Sequence, residues 1–168
     1  DPADWVRCYQ QVAGSIRATG ENLGIAWDFD DSNFADSTAL DPYLAYPGDE
    51  YVDFIGLEAF DMSPPVHTEA EWDAKCNSPA GLCSVIEFAR SHGKRVGISE
   101  WAVVSCYGVP GGDNPFYIEK MFETFSTHAG VMGFEIYYQN SGEVCSVISD
   151  DAAHPTAGAR YKELYRKP

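Results

Sequence analysis

The chain has 168 residues, 45% of them hydrophobic, which is enough apolar material for the core of one domain and argues against a disordered chain. Acidic residues outnumber basic ones 26 to 11 and give a formal net charge of -15, which repels nucleic-acid phosphates and anionic membranes and predicts neither as a partner. No apolar run reaches the roughly 20 residues that a transmembrane helix needs.

The first third of the chain predicts one helix and two strands. Residues 5–19 form an amphipathic helix that Asp4 caps and Gly20 ends, and residues 23–29 form a short apolar strand. A long loop rich in Asp, Ser and Pro separates it from the second strand, residues 51–60. The apolar stripe predicted along the helix consists of Trp5, Cys8, Tyr9, Val12 and Ile16.

Residues 69–92 predict a helix that is interrupted at residues 77–81, where the sequence reads NSPAG, and that ends at Gly93. The third strand, residues 95–104, follows at once. The residues of this helix expected to face inward are Val85, Ile86 and Ala89.

The last helices and the last strand carry clear signals. Asn114 caps a helix, Pro115 occupies its first turn and Gly130 ends it. Residues 131–139 form the fourth strand and residues 156–166 the terminal helix, with Tyr161, Leu164 and Tyr165 as its apolar residues. The buried stripe expected on the helix after Asn114 is Ile118, Met121, Phe122 and Phe125.

Helices and strands therefore alternate, and the strands are almost continuously apolar, as buried parallel strands are. The pattern predicts an α/β fold in a single domain, residues 1–168. Periodicity alone fits both a doubly wound sheet and a barrel. The sequence lacks the glycine-rich motifs of nucleotide-binding proteins and the GxSxG turn of α/β hydrolases.

Carboxylates and aromatic residues gather where the strands end. In a barrel, the carboxyl ends of the strands meet on one face, where catalysis takes place. Carboxylates stabilise an oxocarbenium-like transition state and flat rings stack on sugars, so the pattern favours glycoside hydrolysis. The strand-end residues are Trp27 with Asp28, Glu58 with Phe60 and Asp61, Glu100 with Trp101, and Tyr137 within the fourth strand.

Metal and histidine chemistry receive little support from the sequence. No CxxC pair suggests zinc, and four histidines lie in loops or at helix ends, where a structural role is expected. The run Asp28, Asp30 and Asp31 is read as a solvated loop in preference to a calcium site. We therefore predict no metal and no cofactor.

The five cysteines favour two disulfides. Cys76 and Cys83 close a short segment whose Pro and Gly permit a tight loop, while Cys106 and Cys145 each follow a strand and can meet at one end of the sheet. Cys8 is then left over. Such an arrangement predicts an extracellular, oxidising location; the alternative is five reduced and buried thiols.

Two segments resemble a known family. They are AYPGDEYVDFIGLEAFD, residues 45–61, and GKRVGISEWAV, residues 93–103. Together they resemble strands six and seven of glycoside hydrolase family 26, a family of endo-β-mannanases with some β-glucanases and xylanases. IAWDF is similar to the fifth strand, and FEIYYQ with HPTAGARYKELYRK to the eighth strand and terminal helix. The resemblance implies the C-terminal half, strands five to eight, of a TIM (β/α)8 barrel.

The resemblance also implies roles for residues. Glu100 matches the family's nucleophile in the ISE motif, which implies a retaining enzyme with a covalent intermediate. The acid/base Glu of the family belongs to strand four, in an HE-x-NG motif that these 168 residues do not contain. Glu58 and Phe60 stand where the family usually has Asp and Tyr, and Asp28 where it often has Asn. The residues expected to bind substrate are Trp27, Asp28, Glu58, Phe60, Asp61, Trp101 and Tyr137.

Four strands of a barrel leave two open edges and an exposed inner face. We therefore expect a homodimer, a separate N-terminal half-barrel, or a rearrangement of the strands. The predicted function is hydrolysis of a β-linked polysaccharide such as β-mannan or β-glucan, with the acid supplied by another half or by a residue such as Glu58 or Glu135. The alternatives are a carbohydrate-binding fragment and a half-barrel without activity.

Overall fold

The computed structural model describes residues 1–31, 41–149 and 153–166, which form a four-stranded parallel sheet with helices between the strands. The strands are β1 Ala26–Trp27, β2 Phe54–Asp61, β3 Arg95–Val103 and β4 Met132–Tyr137. The helices are α1 Pro2–Ala18, α2 Glu69–Cys76, α3 Leu82–Ser91, α4 Pro115–Thr127 and α5 Pro155–Tyr165.

The order of the strands decides between the two α/β architectures. The sheet runs β1-β2-β3-β4, and every neighbouring pair is parallel. A doubly wound sheet reverses its strand order at a switch point, whereas the strands of a barrel follow one another around it. The observed order has no reversal, and α3 and α4 contact the same face of the sheet. The arrangement is therefore a section of a (β/α)8 barrel.

Three elements begin three residues away from their predicted start. The helix α1 begins at Pro2 because Asp1, and not Asp4, accepts the capping hydrogen bond, from Ala3 N at 3.0 Å. The strand β1 has two residues instead of seven. The strand β2 begins at Phe54 because residues Asp49–Tyr51 form a turn of 3-10 helix.

The core between sheet and helices follows the predicted pattern. Val85, Ile86 and Ala89 of α3 are completely buried. On α4, Asn114 accepts a hydrogen bond from Tyr117 N at 3.3 Å, as expected of its cap. Of the stripe predicted for α4, Ile118, Met121 and Phe125 are buried, while Phe122 is half-buried against Tyr165.

The break predicted at residues 77–81 is present and separates α2 from α3. The disulfide Cys76–Cys83 spans this break, and the second disulfide joins Cys106 to Cys145, so both predicted pairs are confirmed. Cys8 is unpaired and exposed. No helix in the described ranges is long and apolar enough to cross a membrane.

The apolar stripe predicted for α1 is not buried. Trp5 is 45% exposed and Val12 is 55% exposed, and the residue of this helix that is fully buried is Ala13. The reason is that α1 packs mainly on the 3-10 turns of residues 42–51, which offer it a smaller surface than a sheet does.

The face of the sheet opposite the helices carries large aromatic rings over glycines. Phe54 and Phe134 meet across β3 with ring centroids 5.3 Å apart. Gly97 lies beneath them, and a Cβ there would be 2.5 Å from Cζ of Phe134. Ile136 on the same face is 53% exposed. This face, which we call the inner face, corresponds to the interior of a barrel.

Candidate active site

Three carboxylates stand side by side where the first three strands end. Glu58 of β2 pairs with Glu100 of β3 in the register of the sheet, and Asp30, just after β1, forms a parallel bridge with Glu58. A hydrogen bond from Glu58 N to the carbonyl of Phe29, 2.8 Å long, holds this end of β1 against β2. Neighbouring strands lie about 4.8 Å apart, so the three residues form a continuous acidic row.

An irregularity in β3 aligns Glu100 with this row. Leu57 pairs with Ile98, but the next residue, Glu58, pairs with Glu100, so Ser99 is an extra residue in β3. Such a bulge shifts the alternation of side chains by one position. Ile98 and Trp101 are thereby both completely buried on the helix side, while Glu100 between them is accessible and interacts with the acidic row.

The electrostatics of the row favour protonated carboxyls. Burial raises the pKa of Glu58 above its usual range, and the charges of Glu100, Asp28 and Asp30 raise it further. Burial also raises the pKa of Glu100, with added contributions from Asp28, Glu143 and Asp30. Like charges in one site cannot all ionise at low cost, so Glu58 and Glu100 keep their protons to a higher pH than isolated carboxyls do. A site of this kind can both donate a proton and present a carboxylate.

Aromatic and small residues complete the inner face around the row. Asp28 lies close over β2, since a Cβ on Gly56 would be 2.9 Å from Cβ of Asp28. Phe60 contacts Tyr138 edge to face, with ring centroids 6.0 Å apart, and both belong to a small apolar cluster with Val144. Of the residues expected to bind substrate, Asp28, Glu58 and Phe60 are therefore brought together with Glu100.

The other aromatic residues expected at the site lie on the opposite side of the sheet. Trp101 is completely buried and packs against Tyr137 at a centroid distance of 4.9 Å and against Tyr161 of α5 at 6.1 Å. Trp27 is 2% exposed and packs against Tyr46 at 5.1 Å. The prediction that Trp101 and Tyr137 stack on sugars finds no support in this placement, because their rings contact the helix layer. Trp27 borders a cleft beside α1, but its 2% exposure leaves little of its ring for stacking.

Asp61 also points away from the acidic row. Its side chain is fully buried, accepts from Val66 N at 2.9 Å and from Asn114 Nδ2 at 2.7 Å, and has a pKa raised by burial. Asn114 Nδ2 also donates to the carbonyl of Val66 at 2.7 Å. Asp61 thus ties the end of β2 to the cap of α4, which is a structural role and not a contact with substrate.

Glu135 is likewise on the helix side. Its Oε2 accepts a hydrogen bond from Trp101 Nε1 at 2.5 Å. Burial raises the pKa of Tyr165, and the charge of Glu135 raises it further. It therefore cannot reach a substrate held by Glu100. Of the two acids that the sequence offers as partners of Glu100, only Glu58 lies on the same face.

Three residues of the site were not among those expected to act in it: Asp30, which was read as part of a solvated loop, Tyr138 and Glu143. Tyr138 has the position expected of Tyr137, because the alternation of β4 places Phe134, Ile136 and Tyr138 on the inner face. Gly97 of β3 leaves room for the ring of Phe134 on this face. Glu143 comes from the loop after β4, and no local signal connects this loop with Glu100.

Asp31, next to the row, is separate from it. Its side chain is buried beside Lys75, with Oδ2 3.5 Å from Nζ, and burial raises its pKa to about 7. Lys75 also donates to the carbonyl of Phe60 at 2.7 Å. Within residues 1–31, 41–149 and 153–166, no three acidic, cysteine or histidine side chains are grouped so as to hold a metal ion.

No family model and no curated protein matches the sequence. Solved structures resemble its fold. The catalytic domain of a GH26 endo-β-1,4-mannanase from Bacillus sp. JAMB-750 is 18% identical, with a TM-score of 0.66 over 98% of this chain and 45% of that one. A GH26 protein from a Muricauda species is 18% identical, with a TM-score of 0.68 over 100% of this chain and 43% of that one. An endo-β-1,4-mannanase double mutant from Cellulomonas fimi is 20% identical, with a TM-score of 0.64 over 96% and 35%.

These likenesses confirm the predicted fold, an α/β section of a TIM (β/α)8 barrel. The chain spans less than half the length of the three structures, between 35% and 45% of each. The family that the sequence resembles, glycoside hydrolase family 26, is thus also the family named for two of these structural neighbours.

Proposed function

We propose that this protein is a retaining glycoside hydrolase of β-linked polysaccharides such as β-mannan or β-glucan. The observation that carries the proposal is the pairing of Glu58 with Glu100 on the inner face, where both carboxyls have raised pKa values. The names of the structural neighbours, two of which are endo-β-1,4-mannanases, support the same reaction class.

In this proposal Glu100 is the nucleophile. Its ionised carboxylate attacks the anomeric carbon while the bond to the leaving oxygen breaks and an acid passes its proton to that oxygen. A water molecule then attacks the glycosyl–Glu100 ester, gives its proton to the same residue, now acting as a base, and releases the sugar. The β-configuration is retained because two inversions occur.

Glu58 is the acid that this chain offers. Desolvation is the largest cause of its raised pKa, and the charge of Glu100 comes next, so ionisation of Glu100 keeps the proton on Glu58. This division between two neighbouring carboxyls is the pattern that acid–base pairs show. The alternative source is a residue of a partner that completes the barrel, since the chain has no counterpart of the HE-x-NG motif.

The test is release of reducing sugar from β-mannan, mixed-linkage β-glucan and xylan. We expect Glu100→Ala to abolish the activity and Glu58→Gln to lower it by more than about 100-fold, as loss of general acid catalysis does. Glu87→Gln, an exposed carboxylate on α3, is the matched control and should leave the rate unchanged. Activity that survives Glu100→Ala would refute the assigned nucleophile.

A second copy or an N-terminal half-barrel is the partner that we propose for the inner face and for the outer edges of β1 and β4. The 53% exposure of Ile136 on that face supports the need for a cover. We expect light scattering to give a mass above that of one chain; a monomer at micromolar concentration would contradict self-association. The two disulfides support an extracellular location, which oxidation-state mapping of the protein from its native source would test.

The second candidate function is sugar binding without hydrolysis. It is favoured by one observation, namely that both carboxyls of the pair lie on adjacent strands and not on opposite sides of a barrel. Binding of oligosaccharides without release of reducing ends, in the protein and in Glu100→Ala alike, would establish it.

A further inference from the structure

Trp5 is the most exposed of the four tryptophans, all of which lie within the described residues. It is 45% exposed, whereas Trp27, Trp72 and Trp101 are at most 6% exposed. The ring of Trp5 stacks on that of Tyr9, with centroids 5.2 Å apart and an angle of 28° between the planes. One face of the indole is thus supported by a neighbour while the side chain as a whole remains accessible.

The support is itself fixed to the sheet. The hydroxyl of Tyr9 donates to the carbonyl of Ala26 in β1 at 2.8 Å. The ring under Trp5 is therefore held by a hydrogen bond to β1, the strand next to the acidic row. Because this bond restrains the ring of Tyr9, Trp5 stacks on a fixed support. A rigid aromatic platform loses little conformational entropy when a ligand stacks on it.

A cleft of about 400 Å³ lies in front of this platform. Its size is within the range of small-molecule sites. The residues that line it include the apolar Trp5 and Pro42 and the acidic Asp28 and Asp41. Asp41 accepts one hydrogen bond from Tyr43 N at 3.0 Å. Since a carboxylate has about four acceptor positions, it retains capacity for the hydroxyl groups of a ligand.

The cleft shares one residue with the candidate active site, since Asp28 lines the cleft and also lies over Gly56 of β2. Asp28 also raises the pKa values of Glu58 and Glu100. A polymer with its reacting bond at Glu100 can therefore extend across β1 to Trp5. A pyranose offers what the cleft accepts, an apolar face of C–H groups for the indole and hydroxyl donors at its rim for the carboxylates.

We propose that Trp5, together with Asp28 and Asp41, forms a subsite for one neutral sugar unit of the polysaccharide, on the β1 side of the acidic row. The nature of the ligand rests on the proposed function; the location rests on the cleft. Asp1, Asp28 and Asp41 give the cleft a negative charge, so it rejects uronic acids and other anionic sugars. The subsite thus sets both the length and the charge of the substrate that binds.

The experiment measures binding independently of hydrolysis. Tryptophan emission of the protein is quenched with acrylamide, with and without mannohexaose or cellohexaose, and trigalacturonate serves as the anionic sugar. Because Trp5 is the exposed indole, a neutral hexasaccharide in the subsite should protect the emission from acrylamide, and trigalacturonate should not. We expect Trp5→Ala to weaken hexasaccharide binding by about 10-fold, in the range of one aromatic contact.

Two variants make the result specific. Trp5→Phe keeps an aromatic face and should recover part of the affinity. Val12→Ala removes another exposed apolar side chain two turns along the same face of α1 and should leave the affinity unchanged. If the enzyme is active, Trp5→Ala should raise KM for the hexasaccharide with little change in kcat, since the contact is remote from the reacting bond.

The outcomes separate this proposal from the proposed function. Hexasaccharide binding that leaves Trp5 open to acrylamide, or that Trp5→Ala does not weaken, overturns the subsite and leaves the hydrolase proposal standing. Protected binding without release of reducing sugar supports the subsite and refutes the hydrolase. Absence of binding by either neutral hexasaccharide overturns both. The acrylamide measurement needs no variant, so the proposal remains falsifiable if Trp5→Ala fails to fold.

Discussion

Replacing Asn114 with alanine removes three hydrogen bonds from a buried junction. Asn114 is 4% exposed, caps α4 by accepting from Tyr117 N, and donates to Asp61 Oδ2 and to the carbonyl of Val66. Loss of an N-cap costs about 1 kcal/mol, and loss of the bonds to a buried carboxylate costs roughly 2 kcal/mol more. We expect Asn114→Ala to lower the free energy of unfolding by roughly 3 kcal/mol, a large share of the stability of a typical domain.

The assay is urea denaturation followed by circular dichroism, at a pH near 7. Asn77→Ala is the matched control, because Asn77 is exposed and its amide makes a single bond, to the carbonyl of Asp73 at 2.8 Å. We expect it to change stability by less than about 0.5 kcal/mol. Asp61→Asn in the Asn114→Ala background should recover stability, since it removes the unpaired charge. A loss below about 1 kcal/mol for Asn114→Ala would refute the idea that this network holds β2 to α4.

Three further predictions concern stability. Gly97→Ala should cost about 1–3 kcal/mol, because its Cβ would meet the ring of Phe134, and the added change Phe134→Leu should recover part of the loss; thermal melts of both variants check this. Replacing Cys106 and Cys145 with serine removes a disulfide that joins residues 39 apart, and by the entropy of loop closure it should lower the free energy of unfolding by about 4 kcal/mol. The same change at Cys76 and Cys83, seven residues apart, should lower it by roughly 2 kcal/mol. Asp31, whose pKa is raised to about 7, keeps a proton in the folded state that the unfolded chain releases near pH 4, so stability should fall by up to about 4 kcal/mol as the pH rises from 4 through 7. Asp31→Asn should flatten that slope in denaturation curves measured from pH 4 to 8, and an unchanged slope would contradict the assignment.

Most of the fold was predictable because it rests on local signals. The sequence NSPAG marks the break between α2 and α3, and the cap at Asn114 marks the start of α4. Both disulfides followed from spacing and from the expected strand ends. The length of β1 was not predictable, because its seven apolar and polar residues satisfy a strand pattern although only two of them pair along β2.

The types of residue in the site were predictable, but the face of the sheet on which each side chain lies was not. Strict alternation places Ile98 and Glu100 on one side of β3, and only the extra residue Ser99 moves the carboxylate to the inner face. A bulge depends on how two strands pair, and the sequence of one strand alone does not show that pairing. Tyr137 and not Tyr138 was expected at the site for the same reason. Adjacent residues of a strand point to opposite faces of the sheet, and the strand's own sequence does not show which face is which.

The uninterrupted strand order also bears on how the molecule assembles. Each strand pairs only with the strand next to it along the chain, so every long-range contact of the sheet closes a loop of one βα unit. These loops are shorter than those of a sheet whose neighbouring strands lie far apart in the chain, so less entropy is lost on closing them. A chain built in this way can acquire structure progressively, each finished unit serving as a template for the one that follows. In its folding kinetics the sheet therefore resembles a short array of repeats more than a fold with a single central nucleus. Hydrogen exchange should then show backbone amides whose protection is graded and falls towards β1 and β4.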